Sequence, residues 1–320
     1  MSCNWGILGP GFIANRAILP ALQHVPQAHV LAVASRDPQR AATTSAQFSI
    51  ERTYTTYQTL LDDPDIDIVY IALPNSLHAE WTIRAAQAGK HVLCEKPLAL
   101  SVAECDQMIA ACHLANVLLM EAVMYRFHPR MLALKHLLTS GELGTIHLLH
   151  TAFSFPFQAP DNYRARKEFG GGTLLDTGSY CINAMRWLTD REPQSAQAYI
   201  SYSHNIDSAT SAILRFEQDI FAHMQCSFAA AEHQVIEVVG STGAVTVPHA
   251  FTAWKDDTTE LLIQRGSVFE RREFAPADPY QLMVAHFTDC VSGKASLLYP
   301  ATDGRATLRV LEMVREFHTH

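Results

Sequence analysis

The chain has 320 residues, of which 48% are apolar and 18% charged, and its formal net charge is −8. That length makes roughly two domains, and that balance excludes wholesale disorder. An acidic chain lacks the basic face needed to hold a phosphate backbone, so nucleic acid is not an expected partner.

The first residues, Met1-Ser2-Cys3-Asn4-Trp5, show neither the basic segment nor the apolar stretch of a secretory signal. Residues 4–8 predict a short strand, followed by the turn Gly9-Pro10-Gly11 and a helix from Phe12. Pro20, which has no N–H, is expected to stop that helix near Leu19. Further strands are expected at 30–34, 66–73, 91–94 and 117–121, and helices at 38–48, 57–61, 78–88 and 102–115. Strands alternating with helices of this length imply right-handed crossovers and a doubly wound parallel sheet.

After about residue 122 the rhythm changes. Residues 130–140 and 174–188 read as helices, and 197–203, 209–216, 220–228, 234–240, 244–247, 260–264 and 268–273 as strands. Short loops join these strands, so a mostly antiparallel sheet is expected. Helices return at 280–292 and 303–316. The expected fold is α/β, with an N-terminal Rossmann domain (1–122) and a C-terminal α+β domain (123–320) built on a large open sheet. One face of such a sheet must be covered, which predicts a homodimer or homotetramer formed through it. The apolar runs at 66–73 and 117–120 fall short of the ~20 residues that span a bilayer. Seven cysteines without a Cys-x-x-Cys pair read as reduced thiols, so the expected compartment is the cytoplasm, with no membrane partner.

Gly9-Pro10-Gly11-Phe12-Ile13-Ala14 fits G-x-G-x-x-A between a strand and a helix. In that pattern the first glycine makes the tight turn and the second lets the backbone approach a pyrophosphate. The free N–H groups at the helix start, including those of Phe12 and Ile13, face the phosphates. The residues after the second strand select the cofactor, and here they are Ser35-Arg36-Asp37-Pro38-Gln39-Arg40. Ser35, Arg36 and Arg40 suit the 2′-phosphate of NADP. The alternative is NAD, with Asp37 on the ribose and Arg36 a surface charge. Lys96, in Cys94-Glu95-Lys96-Pro97, sits at a strand's carboxyl end, where open α/β sheets bind ligands. A lysine beside a cationic nicotinamide would have its pKa lowered, which suits proton transfer.

Taken together, these segments resemble the glucose-fructose oxidoreductase / inositol dehydrogenase family (Gfo/Idh/MocA). The resemblance rests on Gly9–Ala14, Leu73-Pro74-Asn75-x-x-His78, Ala88-Gly89-Lys90-His91-Val92, Glu95-Lys96-Pro97, the run Gly170-Gly171-Gly172-Thr173-Leu174-Leu175-Asp176-Thr177-Gly178-Ser179-Tyr180, and Gly240-Ser241-Thr242-Gly243. It covers essentially the whole chain. Glu121–Pro129 and Asp176-x-x-x-Tyr180 resemble the branch of dihydrodiol dehydrogenases and NADP-dependent sugar dehydrogenases. Inositol dehydrogenases carry His where this chain has Tyr180, so the resemblance points to tyrosine as the proton-handling group.

The resemblance implies an oxidoreductase whose substrate is a sugar, polyol or cyclic diol. It implies Tyr180 as general acid/base, Lys96 as electrostatic activator and substrate donor, and Asp176 as orienting acceptor, with exchange of the Lys96 and Tyr180 roles as the alternative. It places Pro74, Asn75 and His78 beside the cofactor, His78 alternatively capping its helix, and gives Glu95 the orienting of Lys96 or the nicotinamide ribose. Arg126 is assigned either a polar substrate group or a salt link between domains. Tyr163 and Arg164, in a loop with Pro160, are assigned to the pocket lining. Phe153, Phe155 and Phe157 form either an apolar pocket wall or one packed sheet face. No metal is expected: His318 and His320 form a terminal His-x-His, a poor closed site, and Cys112 and His113 are adjacent on a helix and diverge. Two other functions remain in view: a non-catalytic NADP-binding sensor or scaffold, against which Lys96, Asp176 and Tyr180 together argue, and a reductase of a non-sugar ketone or imine.

Overall fold

The computed structural model describes residues 2–157, 159 and 161–319, with 318 and 319 described by their backbone alone. Pro160, His320 and the side chain of His318 lie outside the described residues. The chain forms two compact units, Met1–Met124 with Tyr280–Arg305 and Tyr125–Pro279 with Ala306–His320. The expected division was a single cut at residue 122; the segment 280–305 returns to the first unit.

The first unit carries β1 (Cys3–Leu8), α1 (Leu19–Gln23), β2 (Ala28–Ala34), α2 (Pro38–Phe48), β3 (Arg52–Tyr54), α3 (Tyr57–Leu61), β4 (Ile68–Ile71), α4 (His78–Gln87), β5 (His91–Cys94), α5 (Val102–Leu114) and β6 (Leu119–Glu121). Its six strands are all parallel, in the order β3-β2-β1-β4-β5-β6. Every residue of β4, Ile-Val-Tyr-Ile, is buried, as a strand covered on both faces requires. Asp37, Thr56 and Ser101 start α2, α3 and α5 by accepting backbone N–H groups. Because the strand order reverses between β1 and β4, the loops after these two strands flank the crevice where such sheets bind ligands.

Two expectations need correction here. Pro20 does not stop the first helix, which continues to Gln23. A wider π turn over Ala14–Ile18, in which the Leu19 N–H reaches the Ala14 carbonyl, takes the proline into the first turn of α1, where a missing N–H costs little. Strand β3, only three residues long, had no legible pattern. Lys90, part of the family resemblance, is buried and donates to the carbonyls of Asp63 (2.7 Å) and Ile66 (2.8 Å), which fastens the loop before β4.

The second unit carries α6 (Pro129–Thr139), β7 (Ile146–Ser154), α7 (Ser179–Thr189), β8 (Pro193–Ser203), β9 (Ile206–Phe216), β10 (Phe221–Ser227), β11 (His233–Gly240), β12 (Ala244–Pro248), β13 (Thr259–Arg265) and β14 (Val268–Phe274). After α8 (Pro279–Val291) and α9 (Ala301–Glu316), β15 (His318–Thr319) closes the sheet edge. The order is β14-β13-β12-β11-β7-β10-β9-β8-β15, antiparallel except for β7 with β10 and β8 with β15. Strand β7, at the centre, was not anticipated as an element; its only trace was the alternation at Phe153, Phe155 and Phe157. Phe153 packs in the core, stacked on Phe251 with centroids 5.4 Å apart. Phe155 and Phe157 lie beyond the end of β7 against Phe228. On the opposite face Leu148, Ile213, Phe221 and Val239 are exposed around the stacked rings of His150 and His223. No described helix is long and apolar enough to cross a membrane.

Candidate active site

In the first unit, Gly9 takes φ +83°, and a Cβ there would lie 2.7 Å from Leu73 Cδ2 and 3.1 Å from the Ala72 carbonyl oxygen. The loop after β4 therefore presses on the turn after β1 and excludes any side chain at residue 9. Gly11 is different, because a Cβ there would meet no protein atom nearer than the Gly9 carbonyl oxygen, at 4.0 Å. Packing does not demand that glycine, and its open face leaves room for a close approach to the backbone. Asn15 Nδ2 donates to the carbonyls of Pro10 (3.0 Å) and Gly11 (3.1 Å), and its Oδ1 accepts from Thr44 Oγ1. Those carbonyls are thereby engaged by the protein, and the cradle at the helix start suits a dinucleotide pyrophosphate. Phe12, 78% exposed, covers none of it by packing inward.

At the end of β2, Ser35 is buried and its Oγ accepts the Asp37 N–H at 3.1 Å. Asp37 Oδ1 accepts from the N–H groups of Gln39 and Arg40, so its carboxylate caps α2. Arg36 is exposed, with no ion-pair partner among the described residues, and Arg40 lies 4.0 Å from Asp37.

Beyond β4, Asn75 is buried in a short helical turn that Pro74 precedes. His78 does not cap α4. Its ring is fully buried, with Nδ1 2.8 Å from the Pro97 carbonyl and Nε2 2.9 Å from the Leu73 carbonyl, so it is a strut between two strand-end loops. Burial, with a smaller contribution from the Lys96 charge, lowers its pKa. The Lys96–Pro97 peptide is cis. Lys96 is half-buried and its N–H donates to Glu95 Oε2 at 3.2 Å. Tyr70, on β4, donates its hydroxyl to Glu95 Oε1. Burial, and then the Glu95 charge, push the Tyr70 phenol far above its usual range, so it stays a donor. Tyr70 thus holds Glu95, and Glu95 holds the backbone of Lys96.

In the second unit the run Gly170–Tyr180 enters a π turn over Leu174–Gly178 that leads into α7. Asp176 is only 4% exposed, and its Oδ2 accepts from Arg164 Nε at 2.8 Å. Burial works to lower the Arg164 pKa, but the charge of Asp176, with smaller contributions from Tyr163 and Tyr180, raises it overall. The guanidinium also lies over the Tyr163 ring, 4.9 Å from its centroid. Arg164 therefore gathers Tyr163 and Asp176 into one cluster.

The backbone explains how. The N–H of Gly171 donates to the Arg166 carbonyl and that of Gly172 to the Arg164 carbonyl, each at 3.0 Å. A Cβ at Gly171 would lie 2.5 Å from the Arg164 carbonyl oxygen, and one at Gly172, where φ is +113°, 2.2 Å from Asp207 Oδ1. Asp207 Oδ2 accepts from Thr173 Oγ1 (2.9 Å) and the Leu174 N–H (2.5 Å), which pins the start of the turn. Burial nevertheless raises the Asp207 pKa against these bonds.

Tyr180 itself is buried among Tyr125, Phe153 and Phe251, with centroids 5.5–6.0 Å away. Tyr125 donates its hydroxyl to Asn183 Oδ1 at 2.7 Å. Arg126 is buried with its guanidinium 5.5 Å from the Trp187 ring centroid. Asn15, Tyr70 and Asp207 join these clusters without appearing among the sequence-predicted site residues, and Arg164, expected only to line a pocket, pairs with Asp176. Tyr70 carried a signal, a lone polar aromatic in a buried strand. Asp207, thirty residues beyond the turn it holds, carried none.

Two family models match, one described as an oxidoreductase family with an NAD-binding Rossmann fold (residues 3–123) and one as the GFO/IDH/MocA C-terminal domain (residues 131–246). Among curated relatives, a dTDP-3,4-didehydro-2,6-dideoxy-alpha-D-glucose 3-reductase from Saccharopolyspora spinosa is 33% identical, covering 93% of this chain and 90% of that protein. A D-xylose 1-dehydrogenase (NADP(+)) from Haloferax volcanii is 32% identical over 98% of this chain and 96% of its own. A trans-1,2-dihydrobenzene-1,2-diol dehydrogenase from Xenopus laevis is 32% identical over 78% and 76%. Among solved structures, the aldose-aldose oxidoreductase from Caulobacter crescentus complexed with glycerol superposes with a TM-score of 0.93 at 30% identity, over 99% of this chain and 97% of that one.

Proposed function

The chain belongs to the GFO/IDH/MocA oxidoreductase family, and from that premise we propose that it is an NADP-dependent enzyme interconverting a hydroxyl and a carbonyl on a sugar or cyclic diol. The observation that carries the reading is the ion pair of half-buried Arg164 with buried Asp176, with Tyr180 at the entry to α7. Bound NADP would accept or return the hydride at the reacting carbon. The protein's part is to handle the hydroxyl proton and fix the substrate. Tyr180 takes that proton during oxidation and returns it during reduction. Asp176, held by Arg164, accepts a hydrogen bond from a substrate hydroxyl and orients it. Lys96 supplies positive charge and a donor for the substrate oxygen.

The NADP reading is supported by Asp37, whose Oδ1 caps α2, and by Arg36, which is exposed. Gly9, Gly11, Phe12 and Ile13 cradle the pyrophosphate; Ser35, Arg36 and Arg40 take the adenosine end; Pro74, Asn75 and Glu95 line the nicotinamide end, with His78 as the strut behind them. Arg126 and Tyr163 border the substrate. On this reading the first unit binds the cofactor, and the second binds substrate and associates with a second copy through the exposed sheet face, in the cytoplasm.

Fluorescence titration with NADPH and NADH tests the first half, with at least tenfold tighter NADPH expected. Turnover of a sugar and diol panel by wild type and Tyr180→Phe tests the second, with a loss of about 10²–10⁴ in kcat and unchanged NADPH affinity expected. Equal binding of both cofactors, or full turnover by Tyr180→Phe, would sink the corresponding half.

A further inference from the structure

Every residue of β4 is buried, and Tyr70 is the one among them with a polar side chain. It pairs in register with Ile7 of β1 and Leu93 of β5, between two apolar neighbours. Phenylalanine would fill that place equally well, and a buried hydroxyl is costly unless it is bonded. The Tyr70 hydroxyl donates to Glu95 Oε1, on the residue that precedes Lys96. The other Glu95 oxygen accepts the Lys96 N–H at 3.2 Å. Half-buried Glu95 thus takes one bond from inside the sheet and one from the strand end that carries the lysine.

The next residues are gripped by other buried side chains. His78 Nδ1 lies 2.8 Å from the Pro97 carbonyl, and the Leu98 N–H donates to Glu121 Oε1 at 2.8 Å. Glu121 is itself hemmed in, because a Cβ on Gly304 would lie 2.8 Å from its Oε2. Tyr70, His78 and Glu121 therefore hold residues 95–98 together, and the grip that reaches Lys96 is that of Tyr70. Pro97 has no N–H, so in the stretch 96–98 the Lys96 and Leu98 amides report separately on the Glu95 and Glu121 contacts.

We propose that Tyr70 is a positioning residue for Lys96, fixing through Glu95 the strand end from which the lysine addresses substrate. The inference rests on the oxidoreductase reading for what Lys96 does there, and adds to it a residue buried inside the sheet.

Tyr70→Phe removes the hydroxyl and keeps the ring. Amide hydrogen exchange of the full chain, resolved to single residues by mass-spectrometric fragmentation, reads both amides without any substrate. The Lys96 N–H is expected to exchange about tenfold faster or more in Tyr70→Phe, while the Leu98 N–H, held by Glu121, keeps its wild-type rate. On the sugar and diol panel kcat is expected to fall about tenfold or more, with KM and NADPH affinity within about threefold of wild type. In a Glu95→Ala background the same substitution should change kcat by less than about twofold, since its path to Lys96 is already cut. An unchanged Lys96 rate overturns the proposal, as does faster exchange at both amides alike, which means a loosened sheet. Full kcat in Tyr70→Phe, or additive losses in the double variant, overturns it too. If wild type turns over no sugar or diol, the oxidoreductase substrate reading fails by itself, and the exchange rates still decide whether Tyr70 fixes Lys96.

Discussion

Gly11→Ala separates what the protein needs from what a ligand needs. A methyl group at residue 11 meets no protein atom nearer than 4.0 Å, and the residue does not require positive φ. The substitution should therefore leave folding intact, or add about 0.4–1 kcal/mol by restricting the unfolded chain. For a pyrophosphate lying on the turn, the same methyl displaces one charge-assisted hydrogen bond or more, each worth about 1.5–3 kcal/mol. NADPH affinity should fall roughly 10- to 150-fold. Gly9→Ala is the counterpart. With φ +83° and contacts at 2.7 and 3.1 Å, it should cost about 1–3 kcal/mol of stability before any ligand is present. Urea denaturation of both variants, with NADPH fluorescence titration of each, reads both quantities. The reasoning is refuted if Gly11→Ala binds NADPH within threefold of wild type, or if it is destabilised by more than about 1 kcal/mol.

Three further outcomes are expected. Asp37→Ala should cost about 1 kcal/mol through the lost cap and leave the NADPH/NADH preference unchanged, whereas Arg36→Glu should weaken NADPH at least tenfold and spare NADH; selective loss of NADH binding in Asp37→Ala would return the aspartate to the ribose. Arg164→Ala leaves the Asp176 carboxylate buried without its guanidinium, at a cost of about 1–3 kcal/mol; a double-mutant cycle with Asp176→Asn should show coupling, and strict additivity of the two changes would deny the pair. His128 is buried, and its Nδ1 accepts the Arg130 N–H that starts α6. Burial, with a smaller contribution from Arg130, lowers its pKa to about 4. The unfolded ring, at about 6.5, binds protons that the folded one refuses, so stability should fall as pH drops from about 6.5 to 4 and level off below. His128→Asn keeps a capping acceptor and should flatten that slope, measured as urea midpoints at pH 7 and pH 5; an undiminished slope would place the acid sensitivity elsewhere.

Much of the fold could be read locally. The boundaries of α2, α3 and β5 follow from a capping aspartate, a capping threonine and a short apolar run, each a signal within a few residues of its effect. The glycine turn, Arg36, Lys96 and the Asp176–Tyr180 pair were legible for the same reason, since their residue types and spacings lie along single segments. Periodicity was less reliable where a helix departs from 3.6 residues per turn. The π turns at Ala14–Ile18 and Leu174–Gly178 carried the first helix past Pro20 and changed the register between Asp176 and Tyr180.

What the sequence alone determined, then, was the order of most elements and the family. What only the tertiary structure decided was which polar residues are committed inward. Asp37 caps its own helix, His78 braces two loops, and Lys90 closes a third. The central place of β7 and the seating of Arg164 on Asp176 were decided there as well. The physical reason is that hydrogen bonds to buried groups must be satisfied by whichever partner the fold brings near. For Asp207 that partner lies 33 residues away, a distance over which no local pattern carries information.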